Sequence, residues 1–302
     1  MTSRTHTPHT GARAILAAVA ALLVGAAVAG WGASLLHAAT DGTVAKLPED
    51  DRLPMIVVAL GALVACAGLI LALGYYTGAR IAIRAVEHRH QAVLIGALWG
   101  SAAVIVAGFA ERATAHLPGA WGSGPLNNIF TGPIEEGVKL LLPVLLLLFV
   151  ARFRDPKLGF WLVVATGSAF GIIEGLGYVL GDVLAFLKSG DGVGDHVIAA
   201  VVGTLNRAGI ELLHPLLTAG AAGIIWLAAA NRPRGQAVLI GIAGYLGAAA
   251  LHSFNDVVLG GYLREANVLL AITVAYVFVV AVYVLWYRPQ FARLNAHDRR
   301  AR

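Results

Sequence analysis

The sequence predicts an all-α fold: a polytopic bundle of about eight transmembrane helices, forming a single integral membrane domain over residues 1–302. Three observations predict it. Hydrophobic residues make up 58% of the chain and charged residues 13%, the latter about half the share found in soluble domains. The mean hydropathy is +0.76. The apolar residues also run on continuously, in stretches of about 18 or more, as spanning helices require. They do not alternate as the strands of a membrane barrel do.

The elements follow in order from these runs. The first span is expected near 12–36. Its apolar stretch, Ala14 to Leu36, exceeds the roughly 7–15 residues of a signal-peptide core, so it reads as a retained signal-anchor helix. A cleavage site at Ala38-Ala39 is the weaker alternative. The second span, 53–76, contains Cys66. It is the only cysteine, which excludes an intrachain disulfide and a cysteine-only metal site. Further spans are expected at 92–110, 131–150, 159–182, 208–230, 236–258 and 266–287. Residues 195–207 are expected to form a short re-entrant or interfacial helix. Residues 37–52 and 111–130 read as loops, and the first ten residues, rich in Thr and His, as disordered. No internal repeat is visible.

Lys and Arg set the orientation. One series of segments holds Arg4 and Arg13; Arg80, Arg84 and Arg89; Arg152, Arg154 and Lys157; Arg232 and Arg234; and Arg288, Arg293, Arg299, Arg300 and Arg302. The alternate segments hold only Lys46, Arg52, Arg112, Lys188 and Arg264. Cytoplasmic loops carry the excess, so both termini are expected in the cytoplasm, as an even number of spans requires. The net charge of +5 is thus an orientation signal and not a nucleic-acid-binding one. The abundance of Ala and Gly points to a bacterial cell membrane.

Ionisable side chains inside a membrane are costly and mark functional sites by default. Four groups stand out. Glu135, Glu136 and Lys139 follow Pro133 at the head of the fourth span. The plain reading is an acidic helix start with an i,i+4 pair. Two adjacent carboxylates in a low dielectric cannot both ionise cheaply, however, and such a pair suits general-base work. Glu174 lies inside the apolar fifth span, beside Gly167, Gly171 and Gly175. Those glycines form a smooth stripe for close helix approach. Glu174 should therefore face a neighbouring helix, as packing glue or as an acid of the site. Glu211 and His214 share a face of the sixth span. His252 and Asp256, with Asn255 between them, end the seventh, where a carboxylate can orient a histidine. With the termini inside, all four groups fall in the outer half of the membrane. A site opening to the extracytoplasmic side is expected.

The order of these residues carries a resemblance. Glu-Glu-x-x-Lys (Glu135, Glu136, Lys139), Phe-x-x-x-Glu (Phe170, Glu174), His214 and His-x-x-x-Asp (His252, Asp256) occur in successive spans. This pattern resembles the PrsW family of intramembrane proteases, related to the type II CAAX prenyl endopeptidases. In the CAAX relatives the second motif usually ends in histidine; Glu174 in that place favours the PrsW branch. The likeness covers about residues 130–260, read as the catalytic core helices. It departs at Pro215, directly after His214, whose ring disrupts the helix around Glu211. The resemblance implies site-1 cleavage of a membrane-anchored substrate, such as an anti-sigma factor, near the outer face.

The expected mechanism has Glu135 or Glu136 as general base on water, with Lys139 keeping the partner carboxylate ionised. His214 and His252 would stabilise the oxyanion, Asp256 would orient His252, and Glu174 would be a second acid or hold the water. Phe170, Glu211 and Asn255 support the site. No cofactor is expected; zinc or another divalent ion at the glutamates and histidines is the ranked-second alternative, since no His-Glu-x-x-His motif occurs. The expected partners are a single-span membrane protein substrate and the lipid bilayer. Two rival functions share the buried polar groups: a proton- or ion-coupled transporter, and a non-catalytic scaffold of the same superfamily.

Overall fold

The computed structural model describes residues 89–115, 125–189 and 209–301. The expected spans at 12–36 and 53–76, the loop at 37–52, the N-terminal tail and the short helix at 195–207 lie outside these residues. Among the described residues every element is helical. Helix α1 is Arg89–Ala115, and a 3-10 turn at Pro125–Phe130 leads into α2, Thr131–Phe149. Helix α3 is Pro156–Ser189, α4 is Leu213–Asn231 and α5 is Arg234–Phe254. Helix α5 runs on through π-type turns at Asn255–Leu263 and a closing turn at Arg264–Ala266. Helix α6, Val268–Ala281, continues through π-type turns at Val282–Tyr287 into α7, Arg288–Ala301.

Five helical stretches are long and apolar enough to cross a membrane: Arg89–Thr114, Pro156–Gly175, Leu213–Asn231, Arg234–Ala266 and Val268–His297. The expected count of about eight is not reached among the described residues. Two expected spans lie outside them, and α2, with 19 residues, carries Glu135, Glu136 and Lys139. Its charges need protein around them, not lipid.

Local chemistry explains the helix ends. Asp155 caps α3, its Oδ1 accepting from the N–H groups of Lys157 and Leu158 at 2.8 and 2.9 Å. Pro156 fills the first helical position, where its missing N–H costs nothing. Asn267 caps α6 by accepting from Leu270 N–H at 2.9 Å. The expected span 208–230 is broken: turns at Glu211 and Leu212 precede α4. Pro215 has no N–H for the Glu211 carbonyl, which accepts instead from His214 N–H at 3.3 Å. The expected loop at 111–130 also shrinks, because α1 continues to Ala115.

Apolar lipid tails give helices no hydrophobic reason to associate, so close packing and hydrogen bonds hold the bundle. Helices α3 and α4 are the most buried of the spanning stretches. A Cβ at Gly96 or Gly100 would collide with the Leu162 and Thr166 carbonyls of α3, so α1 rests on α3 through its smooth face. Gly167 and Gly171 sit against Pro215, His214 and Glu211 on the opposite side. Helix α5 clamps the head of α2: Tyr245 Oη donates to Pro133 O at 2.8 Å, and Ser253 Oγ to Ile129 O at 2.8 Å. Trp226 Nε1 donates to Phe153 O at 2.7 Å, and Trp286 Nε1 to Leu217 O at 3.0 Å. Leu98, Phe109, Leu239, Leu246, Leu269 and Leu285 are exposed on α1, α5, α6 and the turns after it, as lipid-facing surfaces are.

Candidate active site

The motif residues converge. Helix α2 supplies Glu135, Glu136 and Lys139, α3 supplies Phe170 and Glu174, and the broken start of α4 supplies Glu211 and His214. The end of α5 supplies His252, and the π-type turns after it supply Asn255 and Asp256. Glu136 and Lys139 are fully buried, and Glu135, Glu211, His214 and His252 nearly so. The Glu174 and Asp256 side chains are 18% and 21% exposed. These two acids therefore mark the mouth, with Glu136 and Lys139 at the floor.

Glu136 is held on every side. Its Oε1 accepts from Lys139 Nζ at 2.7 Å and pairs with His252 Nδ1 at 3.0 Å, while Oε2 accepts from Thr218 Oγ1 at 2.7 Å. Lys139 Nζ also reaches His214 Nδ1 at 2.7 Å and lies 4.2 Å from the Phe170 ring centre. An ammonium only donates, so His214 Nδ1 accepts, and a neutral His214 carries its hydrogen on Nε2. That nitrogen is 2.8 Å from both Glu174 Oε2 and Glu211 Oε2. His252 is fixed the other way round. Its Nδ1–H donates to Glu136, which leaves Nε2 facing Asp256 Oδ2 at 3.4 Å and Glu135 Oε2 at 3.6 Å. Glu136 is thus the hydrogen-bond partner of His252 Nδ1, while Asp256, expected to orient this ring, faces its Nε2. Asp256 also accepts from Asn255 Nδ2 at 3.0 Å.

Glu135 differs from its neighbour. Its Oε2 is buried and makes no hydrogen bond. It lies 3.3 Å from Lys139 Nζ, 3.7 Å from His214 Nδ1 and 3.6 Å from His252 Nε2. Phe170 packs its ring 5.1 Å from that of His214 and serves as a wall.

Two participants carried no readable signal. Thr218 is a lone hydroxyl in an Ala- and Gly-rich helix, four residues past His214. Glu111 falls just beyond the expected end of the third span, yet it is partly buried, with Oε1 wholly so. Its carboxyl is within hydrogen-bonding reach of Glu135, and it shares the electrostatic field of Glu174, Asp256 and His252.

The donor set fits a divalent cation. Glu135, His214 and His252 offer ligand atoms within 4.8 Å of one another, as do Glu174, Glu211 and His214. In the first set both imidazoles rest their second nitrogen on a carboxylate, Glu136 for His252 and Glu174 or Glu211 for His214. Metal-binding histidines do the same. Lys139 Nζ lies 2.7 Å from His214 Nδ1 and 3.3 Å from Glu135 Oε2, so His214 would ligate through that nitrogen only with the ammonium moved off it. Two histidines and a glutamate are a known zinc-hydrolase ligand set.

Residues 87–286 match the PrsW family intramembrane metalloproteases. The chain belongs to this family. The match covers all the described elements from α1 to the turns before α7 and contains every site residue named above. No curated protein and no solved structure matches the chain. The PrsW family's description as metalloproteases runs against the expectation of a cofactor-free site and agrees with the donor set found here.

Proposed function

We propose that this chain hydrolyses a peptide bond of a single-span, membrane-anchored substrate at the Glu135–His214–His252 cluster, near the extracytoplasmic face. Membership of an intramembrane protease family supports the reaction class. The observation that carries the residue assignment is the contrast between the two neighbouring glutamates. Glu136 has both oxygens committed to Lys139, His252 and Thr218, whereas Glu135 Oε2 makes no hydrogen bond and faces both histidines. A base must have an oxygen free for water.

Glu135 Oε2 holds the attacking water and takes its proton as the new C–O bond forms. His252 in its protonated form, with Nδ1–H fixed on Glu136, presents Nε2–H to the carbonyl oxygen as that oxygen gathers charge. The C–N bond then breaks, and the proton passes to the leaving amine. Glu174 and Asp256, whose side chains are part-exposed at the mouth of the cluster, relay protons between the site and the aqueous side. The products are a carboxylate and an amine. A divalent cation held by Glu135, His214 and His252 would take the place of the His252 Nε2 proton and supply Lewis-acid polarisation of the scissile carbonyl. The extracytoplasmic setting rests on the Lys and Arg distribution. An anti-sigma factor is one substrate of the required form: a single span with a cleavable extracytoplasmic part.

The test is processing of a co-expressed single-span substrate. The wild-type chain should shorten it and Glu135→Gln should not, at equal membrane abundance. Equal processing by both would refute the assignment.

A further inference from the structure

At the end of the bundle opposite the glutamates and histidines the helices leave a second recess. The cluster occupies the start of α4 and the end of α5; a cavity of about 770 Å³ occupies the end of α4, the start of α5 and the flank of α7. Ligand pockets commonly span about 300–1,000 Å³.

The lining divides by chemistry. Ile224, Leu227 and Ile240 form an apolar part, and Arg232, Arg293 and His297 form a cationic rim. No carboxylate lines the cavity, and among the described residues no salt bridge engages these three groups. Arg293 donates one N–H to Gln290 Oε1 at 3.2 Å, which uses one of its five donors. Arg232 sits just past the end of α4, where partial negative charge from the helix favours a cation. The rim belongs to a wider basic field, since residues 288–302 hold five arginines against the single acid Asp298.

The cavity wall packs against the bundle. Leu294 of α7 is buried, Phe291 lies 6.2 Å from Phe160 and Gln290 packs on Gly223, where a Cβ would come within 2.6 Å of it. Helix α7 is therefore seated on α3 and α4, with Arg293 and His297 turned to the cavity.

We infer that this cavity binds one anionic phospholipid, its phosphate on Arg232, Arg293 and His297 and an acyl chain along Ile224, Leu227 and Ile240. An apolar floor under a cationic rim that meets no carboxylate among the described residues, at the end of a spanning helix pair, matches a molecule with a charged head and a greasy tail. Basic pockets of this kind on the cytoplasmic side of membrane proteins take acidic headgroups. The positive-inside distribution assigns this end to that side. The lipid would pin α7 to α4 and α5 at the base of the helices that carry His214 and His252.

The test is native mass spectrometry of the purified full-length chain with phosphatidylglycerol and phosphatidylcholine of identical acyl chains at equal concentration. The wild-type chain should retain one phosphatidylglycerol in preference. Each of Arg232→Ala and Arg293→Ala should reduce that preference by about five-fold, and R232K/R293K should keep most of it. Equal retention of the two lipids, or an unchanged preference in the double alanine variant, would overturn the inference. A further arm adds inorganic phosphate at millimolar concentration. Full displacement of the lipid would reassign the cavity to free phosphate and overturn the lipid reading; retained lipid supports it. Melting curves by circular dichroism confirm that the variants are folded.

Discussion

Glu135 and Glu136 are neighbours in sequence with opposite surroundings, and substitution should separate them. Glu135→Gln removes a carboxylate that makes no hydrogen bond through Oε2, so its fold should survive while turnover falls by about 100-fold or more. Glu136→Ala strips Lys139 of its closest counter-charge at 2.7 Å and leaves a buried ammonium, a loss of about 3–5 kcal/mol. Thermal unfolding in detergent should therefore drop sharply for the second variant and little for the first. The cluster also makes a prediction about metal. Elemental analysis of the purified chain should find about one divalent cation per molecule, as a two-histidine, one-glutamate set holds, and His252→Ala should lose it. At this scale the sequence was largely legible, because charged residues inside apolar runs announce themselves. Thr218 did not, because a hydroxyl among alanines is ordinary. Nor did Glu111, because it sits one residue past an apolar run and joins the site only through the fold.

At the scale of elements, the cluster depends on how near the helices come. Gly171 is the most exposed point of that design: an added Cβ would meet the Glu211 carbonyl at 2.8 Å and His214 Cδ2 at 3.0 Å. Neither atom is the loose end of a flexible chain. Gly171→Ala should force α3 from α4 at a cost of about 1–3 kcal/mol and suppress cleavage, read by unfolding and substrate processing together. The glycine stripe beside Glu174 foretold this contact from sequence. The break at Glu211 was foretold only as disruption by Pro215. What the pattern did not disclose is that the break aims the Glu211 carboxylate at His214 Nε2. The π-type turns that carry Asn255 and Asp256 were also invisible, since an apolar run looks the same in either helical form. Such turns often occur at functional sites.

For the whole molecule, the arrangement is a polar site enclosed at one end of a membrane bundle, with a basic cavity at the other. The apolar runs were enough to anticipate spanning helices, and the Lys and Arg asymmetry carries the direction we propose for them. Helix α2, expected to span, carries Glu135, Glu136 and Lys139 and is not among the five stretches apolar enough to cross a membrane by composition. The orientation is testable in intact cells with a membrane-impermeant thiol reagent on a Cys66→Ala background. Asn128→Cys, exposed beside the site end, should label. Gly235→Cys, in open space at the other end, should label only after permeabilisation. The reverse pattern would invert the bundle and put the site on the cytoplasmic side.

In the function proposed above, this cluster cuts membrane-anchored proteins near the outer face. Mass-spectrometric mapping of new protein termini in membranes from cells producing the wild-type chain or Glu135→Gln tests it most directly. Termini unique to the wild type are expected, lying at or just outside the extracytoplasmic end of a single span. Identical sets of termini in the two membranes, with both proteins folded and equally abundant, would contradict it.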